Sequence, residues 1–203
     1  MSTQAIGFTF DETMSGGFAL GETDPQAGKS RGQLDGSELA MHATVIIENL
    51  DAFIDDPNHL GSLAGTLDFT PFGASIPAPS GVFNLFSPTD DASLKLMIYE
   101  LAFEHEGVGY YLAGRKEVRD AAPTALWKAT TTLYTCLHQG TDKQGPVVGA
   151  GVISLGVKEL MALVSTMRVI NAENRAQEAE AVMKFGRFFM GDLWDTYVKH
   201  SGR

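Results

Sequence analysis

The chain has 203 residues, 44% of them hydrophobic and 20% charged, which is enough apolar content for a real core and too little charge for disorder. A formal net charge of −10 repels phosphate backbones and anionic membrane surfaces, so nucleic acid is not an expected partner. No run of ~18 apolar residues exists, so no membrane span is expected. Met1 to Ala5 lacks the basic flank and apolar run of a secretion signal, and Cys136, the single cysteine, has no intrachain partner. The expectation is therefore a cytoplasmic protein of one domain with an appendage.

In chain order, Gly7 to Met14 reads as a first strand. Gly21 to Gly36 (Asp24-Pro25, Gly28, Lys29, Ser30, Arg31, Gly32) has almost no apolar content and reads as a lid or a disordered loop. Glu38 to Leu50 is the cleanest strand: Leu39, Met41, Ala43, Val45 and Ile47 alternate with Glu38, His42, Thr44 and Glu48, the period of a half-buried sheet. Ser62 to Thr70 repeats that period, the Pro- and Gly-rich Pro71 to Gly81 turns a barrel corner, and Gly81 to Phe86 is another strand. Leu94 to Glu104 and Gly109 to Val118 flank His105-Glu106-Gly107-Val108, a hairpin in which Gly107 supplies the positive φ. Leu126 to His138 is the most β-prone run, and Val147 to Leu155 completes a set of about eight strands, with Gly149 and Gly151 marking a bulge or a sharp coil. Short connections imply antiparallel pairing, and closure removes exposed edges. The expected fold is mainly β, an antiparallel barrel of about eight strands, lipocalin-like or calycin-like, over residues 1–156. Residues 157–203 form a helical extension of two helices.

That extension begins where the period changes. Leu160, Leu163, Val164, Met167 and Ile170 form one helical stripe. Ala172, Ala176, Ala179, Met183, Gly186, Met190, Leu193 and Tyr197 form a second, out of phase with the first, which predicts a break near Asn171. The second helix carries bulky Phe185, Phe188, Phe189 and Trp194 near its end. It either packs on its own barrel or pairs two copies as a homodimer through Ala172 to Tyr197.

Motifs for chemistry are weak. Val147 to Gly156 contains Gly149-Ala150-Gly151, but Ser154 stands where a dinucleotide fingerprint needs its third glycine, and β-prone residues continue past it. His42, His59, His105, His138 and His200 lack metal-ligand spacing, and Cys136 lies inside a strand, where packing is its expected role. No cofactor, metal or catalytic residue is expected. Ionisable residues on apolar strand faces are more informative. Glu12 shares a face with Phe8, Phe10 and Met14; Glu100 with Ile98 and Ala102; Lys116 with Leu112, Gly114 and Val118. If these faces point inward, Glu12 or Glu100 must pair with Lys116, because an isolated buried charge is too costly. If they point outward, the charges simply meet water. Tyr99, Tyr110, Tyr111 and Tyr134 lie on adjacent strands and suit an apolar ligand with a polar handle. The candidate ligand-binding residues are Glu12, Tyr99, Glu100, Tyr111, Lys116 and Tyr134.

The segments Phe8 to Gly16, Gly81 to Phe86, Tyr110 to Lys116 and Trp127 to Tyr134 together resemble one family, an uncharacterised bacterial β domain found near, or fused to, flavin-dependent sterol (cholesterol) oxidases of the glucose–methanol–choline type. The resemblance covers Phe8 to Leu155 and implies an association with lipid or sterol metabolism; the chain has no flavin-binding Gly-rich βαβ unit, so it is not expected to be the oxidase. Glu12 and Lys116 fall within these motifs. The leading expectation is thus a barrel that binds a hydrophobic small molecule. An isomerase or cyclase using a Glu/Lys acid–base pair is the alternative, and a module dimerising through its last helix is a third.

Overall fold

The computed structural model describes residues 4–119 and 129–198, with side chains through residue 189 of the last helix. Its strands are β1 (Gly7–Leu20), β2 (Glu38–Ile47), β3 (Leu60–Phe69), β4 (Gly73–Ala78), β5 (Ser80–Pro88), β6 (Leu94–His105), β7 (Val108–Arg119), β8 (Thr132–Gln139), β9 (Val147–Ser154) and β10 (Arg168–Ile170). All pair antiparallel in the order β10-β1-β2-β3-β5-β6-β7-β8-β9, and β9 returns to β1. The closed ring is therefore β1, β2, β3, β5, β6, β7, β8 and β9, an eight-stranded barrel. β4 and β5 act as two halves of one long strand against β3, with Gly65 opposite Ala78 and Ser62 opposite Val82. The interruption falls at Pro79, which has no N–H to give a ladder. The β6–β7 hairpin turns at Glu106 (φ 51°) and Gly107 (φ 76°), the paired positive φ of a tight two-residue turn.

Closure between β9 and β1 is spliced. β9 pairs with Ser15 to Leu20, while β10 pairs with Gly7 to Thr9. Between these two ladders the Thr166 hydroxyl accepts the Asp11 N–H at 2.9 Å, a side chain standing in for a strand. Gly149 and Gly151 lie here because the Phe18 ring fills the space that a Cβ at either position would need.

Several expectations are corrected. Gly21 to Gly36 is not a disordered loop: it holds helix α1 (Pro25–Asp35), capped by the Asp24 carboxylate accepting Ala27 N–H at 2.8 Å and ended by Gly36 in the left-handed region. No apolar stripe announces this helix because it meets the barrel backbone-on-backbone. Side chains at Gly28 and Gly32 would collide with main-chain atoms of Ala150 and Phe18. The strand from Glu38 ends at Ile47, and Leu50 already belongs to helix α2 (Leu50–Asp55), capped by Asn49. The strand read from Leu126 begins at Thr132, with Leu126 to Lys128 outside the described residues. Helix α3 (Val157–Thr166) ends before Met167, so Ile170 lies in strand β10 rather than in the first helical stripe. Asn171 adopts φ 63°, and helix α4 (Arg175–Val198) starts afresh beyond it, so the break falls where the two stripes lose phase.

Helix α4 packs on its own barrel, and the described side chains that make its ring contacts are Phe185, Phe188 and Phe189 rather than positions of the second stripe. Phe185 stacks on Phe8 at 4.3 Å, Phe188 meets Phe53 of α2 edge-on at 5.8 Å, and Phe189 lies 6.0 Å from Phe86. Ala176, Ala179 and Met183 of the second stripe are left exposed.

Candidate functional site

Strict alternation on three strands brings Glu12, Tyr99 and Lys116 to the inner face of the barrel, where they are 3%, 3% and 1% exposed. Their inward neighbours are Phe10 and Met14 on β1, Met97 and Leu101 on β6, and Leu112 and Val118 on β7, all buried. Lys116 Nζ donates to Glu12 Oε1 at 2.9 Å and to the Tyr99 hydroxyl at 3.2 Å. β7 and β1 are separated in the ring by β8 and β9, so this ion pair crosses the lumen rather than joining neighbouring strands. The Lys116 ammonium also sits 4.4 Å from the centre of the Tyr99 ring, within cation–π range. Burial pushes the Tyr99 phenol well above its ordinary pKa, and the neighbouring Glu12 carboxylate raises it further. The trio is thus a carboxylate, an ammonium and a neutral hydroxyl with a net charge of zero, satisfied by mutual contacts in an apolar surround.

An aromatic column connects the trio to the barrel end that α4 covers. Tyr99 meets Phe83 edge-on at 5.2 Å, Phe83 meets Phe10 at 6.2 Å, and Phe10 lies 6.2 Å from Phe185. At the opposite end Phe72, in the turn between β3 and β4, contacts Phe69, Tyr110 and His105 at 5.0, 5.1 and 4.4 Å.

The remaining candidates face away from the lumen. Glu100 alternates with inward Tyr99 and Leu101 and points to the outer wall, yet it is only 7% exposed. The Tyr111 hydroxyl donates to it at 2.5 Å, and Lys143, from the β8–β9 connection, donates at 2.9 Å. Burial, then the Glu100 carboxylate, raises the Tyr111 phenol above its usual pKa. Tyr134 is half-buried on the outer wall beside Arg115 and Val152, alternating with inward Leu133 and Thr135. The six residues therefore do not form one pocket: Glu12, Tyr99 and Lys116 meet inside, Glu100 and Tyr111 meet outside, and Tyr134 joins neither group. Lys143 was not foreseen, because its contact depends on how the Gly140–Pro146 turn folds back over β6 and β7, which no periodicity encodes. Phe10 and Phe83 were legible only as apolar positions.

The outward Cys136 thiol is pushed up by burial, against the low pKa that a nucleophilic cysteine needs. Among the described residues no three of His, Cys, Asp and Glu gather as a metal site, and no helix is long and apolar enough to cross a membrane.

What fold and site define together is a closed eight-stranded antiparallel barrel with a charge-neutral Glu–Lys–Tyr trio at its centre. No protein-family model, curated protein or solved structure matches the chain.

Proposed function

We propose that the chain binds a hydrophobic small molecule, lipid- or sterol-like, inside the barrel in the manner of a lipocalin, as an accessory to lipid or sterol metabolism. One observation carries this reading: an ion pair and a phenol sit 1–3% exposed in a lumen lined mainly by apolar side chains, where the inward Thr135 hydroxyl is already bonded to the Gly151 carbonyl. Packing alone does not call for such a trio, since apolar replacements of buried ion pairs are often neutral or stabilising. A site that reads a polar handle does call for it, and barrels of this strand number hold at most one small ligand. Because the trio is already neutral, a charged ligand would leave net charge in the lumen; the handle it suits is a hydroxyl or carbonyl. The resemblance to domains associated with sterol oxidases points the same way. Native mass spectrometry of the purified protein tests the reading: one retained adduct per chain, released by organic solvent, is expected. A ligand-free mass combined with no uptake of any uncharged hydrophobic probe would refute it.

A second reading is an acid–base isomerase or cyclase, favoured by the 2.9 Å Glu12–Lys116 contact and the adjacent phenol. It separates from pure binding by one variant: Glu12→Gln should abolish conversion of a bound compound while retaining the compound itself. Pairing of two copies along Ala172 to Tyr197 is compatible with either reading, since Ala176, Ala179 and Met183 are exposed; a monomer by light scattering at high concentration would exclude it.

A further inference from the structure

We infer that helix α4 is a removable stopper, and that the Phe185 ring stands in the place that the apolar body of a ligand takes when it reaches the Glu12–Lys116–Tyr99 trio. This rests on the lumen-binding reading. Phe185 is the one described α4 side chain set against inner-wall rings of β1, stacked on Phe8 at 4.3 Å and tilted toward Phe10 at 6.2 Å. From there the column Phe10–Phe83–Tyr99 leads to the trio, so removing Phe185 uncovers a continuous aromatic wall ending in polar groups.

The contact surface of the stopper is built on strained backbone. His59 (φ 46°) and Phe86 (φ 55°) lie in the left-handed region, where bulky residues are uncommon. Both hold their rings against α4: His59 is 4.6 Å from Phe188, and Phe86 is 6.0 Å from Phe189. Phe86 sits at the β5 register shift between Asn84 and Ser87, so its ring is delivered to the mouth by a bulge rather than by regular pleating. The backbone that presents these rings is fixed from the barrel side, His59 by bonds to Asp56, Leu85 and Phe53 and Phe86 by the β5 register shift, so the mouth keeps its shape whether or not α4 is seated. The far side of the helix is solvent, with Val182 and Met183 about half exposed, and its polar tether is a surface ion pair between Lys184 and Asp51. Its connection to the barrel, Asn171 to Asn174, is exposed or half-buried, and Asn171 already holds φ 63°, so a hinge is available that disturbs no ladder.

Hydrogen exchange of the full chain tests the stopper without a ligand. Amides from Ala181 to Phe189 should exchange at least about 100-fold faster than those of β2, through an opening well short of global unfolding. Protection of α4 equal to that of β2 overturns the stopper. The second arm links α4 to α2 with a short bis-maleimide in an Asp51→Cys, Lys184→Cys, Cys136→Ser chain and follows uptake of N-phenyl-1-naphthylamine. Uptake should be at least about 10-fold slower in the cross-linked chain than in the unlinked triple variant, which lacks the Lys184–Asp51 tether and should take up the probe at least as fast as wild type. Equal uptake with and without the cross-link overturns the stopper while leaving the lumen reading intact. Rapid α4 exchange with no uptake in any form overturns the lumen reading, and the stopper with it.

Discussion

The inner and outer walls of this barrel carry the same three chemical groups, and the two sets are held very differently. Inside, Glu12, Lys116 and Tyr99 are all but unexposed and their ion pair crosses the lumen. Outside, Glu100 and Tyr111 are joined by Lys143, whose side chain is 59% exposed. An outer lysine can swing into water and leave a carboxylate that still keeps its tyrosine hydrogen bond. The inner lysine has nowhere to go. Burial rather than composition therefore decides which trio commits free energy to a fixed arrangement, and it directs the functional reading to the lumen.

The comparison breaks most visibly on lysine removal. Lys116→Ala strands Glu12 in an apolar lumen and should destabilise the fold by about 3–5 kcal/mol, read as a shifted urea midpoint. Replacing the pair together, Glu12→Leu with Lys116→Met, should recover most of that loss or exceed wild-type stability, because neither charge then needs burial. A double variant no more stable than Lys116→Ala would show that the pair is itself structural. Tyr99→Phe, which removes one acceptor from the Lys116 ammonium, should cost about 1–3 kcal/mol. On the outer wall, Lys143→Ala should cost about 0.2–1 kcal/mol, because an exposed partner contributes little. Finding the outer lysine more costly than the inner one would invert the account.

Alkaline titration sharpens the same contrast. Tyr99 and Tyr111 both have pKa values raised in the folded chain, so each contributes stability that is fully present below the unfolded tyrosine value near pH 10 and lost as pH rises above it. The ultraviolet phenolate signal of Tyr99 should appear only with unfolding, detected as the difference between wild type and Tyr99→Phe. If that difference spectrum titrates while the far-ultraviolet signal stays native, the Tyr99 hydroxyl is not enclosed as described.

The strands were legible because a half-buried sheet writes its period of two directly into the chain. The run Leu39 to Ile47 and the Glu106-Gly107 turn needed no tertiary information. Helix α1 was illegible for the opposite reason: its contact face is Gly28 and Gly32, and a glycine face has no hydropathy to alternate. Its Asp24-Pro25 start and Gly36 stop were present all the same, as capping signals rather than as a stripe. For the site, the period of two placed Glu12 and Lys116 on apolar faces but could not say which face of β6 turns inward. Glu100 shares its face with Ile98 and Ala102 and is nearly buried, yet the lumen side of β6 belongs to Met97, Tyr99 and Leu101. What distinguishes the two faces is the cross-strand register with β5 and β7 and closure of the ring, and a single strand carries neither.

The most direct test of the central claim compares 2-naphthol with naphthalene, two flat apolar ligands that differ by one hydroxyl, as competitors for N-phenyl-1-naphthylamine. If the Glu12–Lys116–Tyr99 trio reads a neutral polar handle, wild type should prefer 2-naphthol by about 10-fold or more, since a handle left without its partner strands buried polar groups. The folded Glu12→Leu, Lys116→Met variant should lose that preference. Equal affinities in wild type, or a preference that survives in the variant, would contradict it.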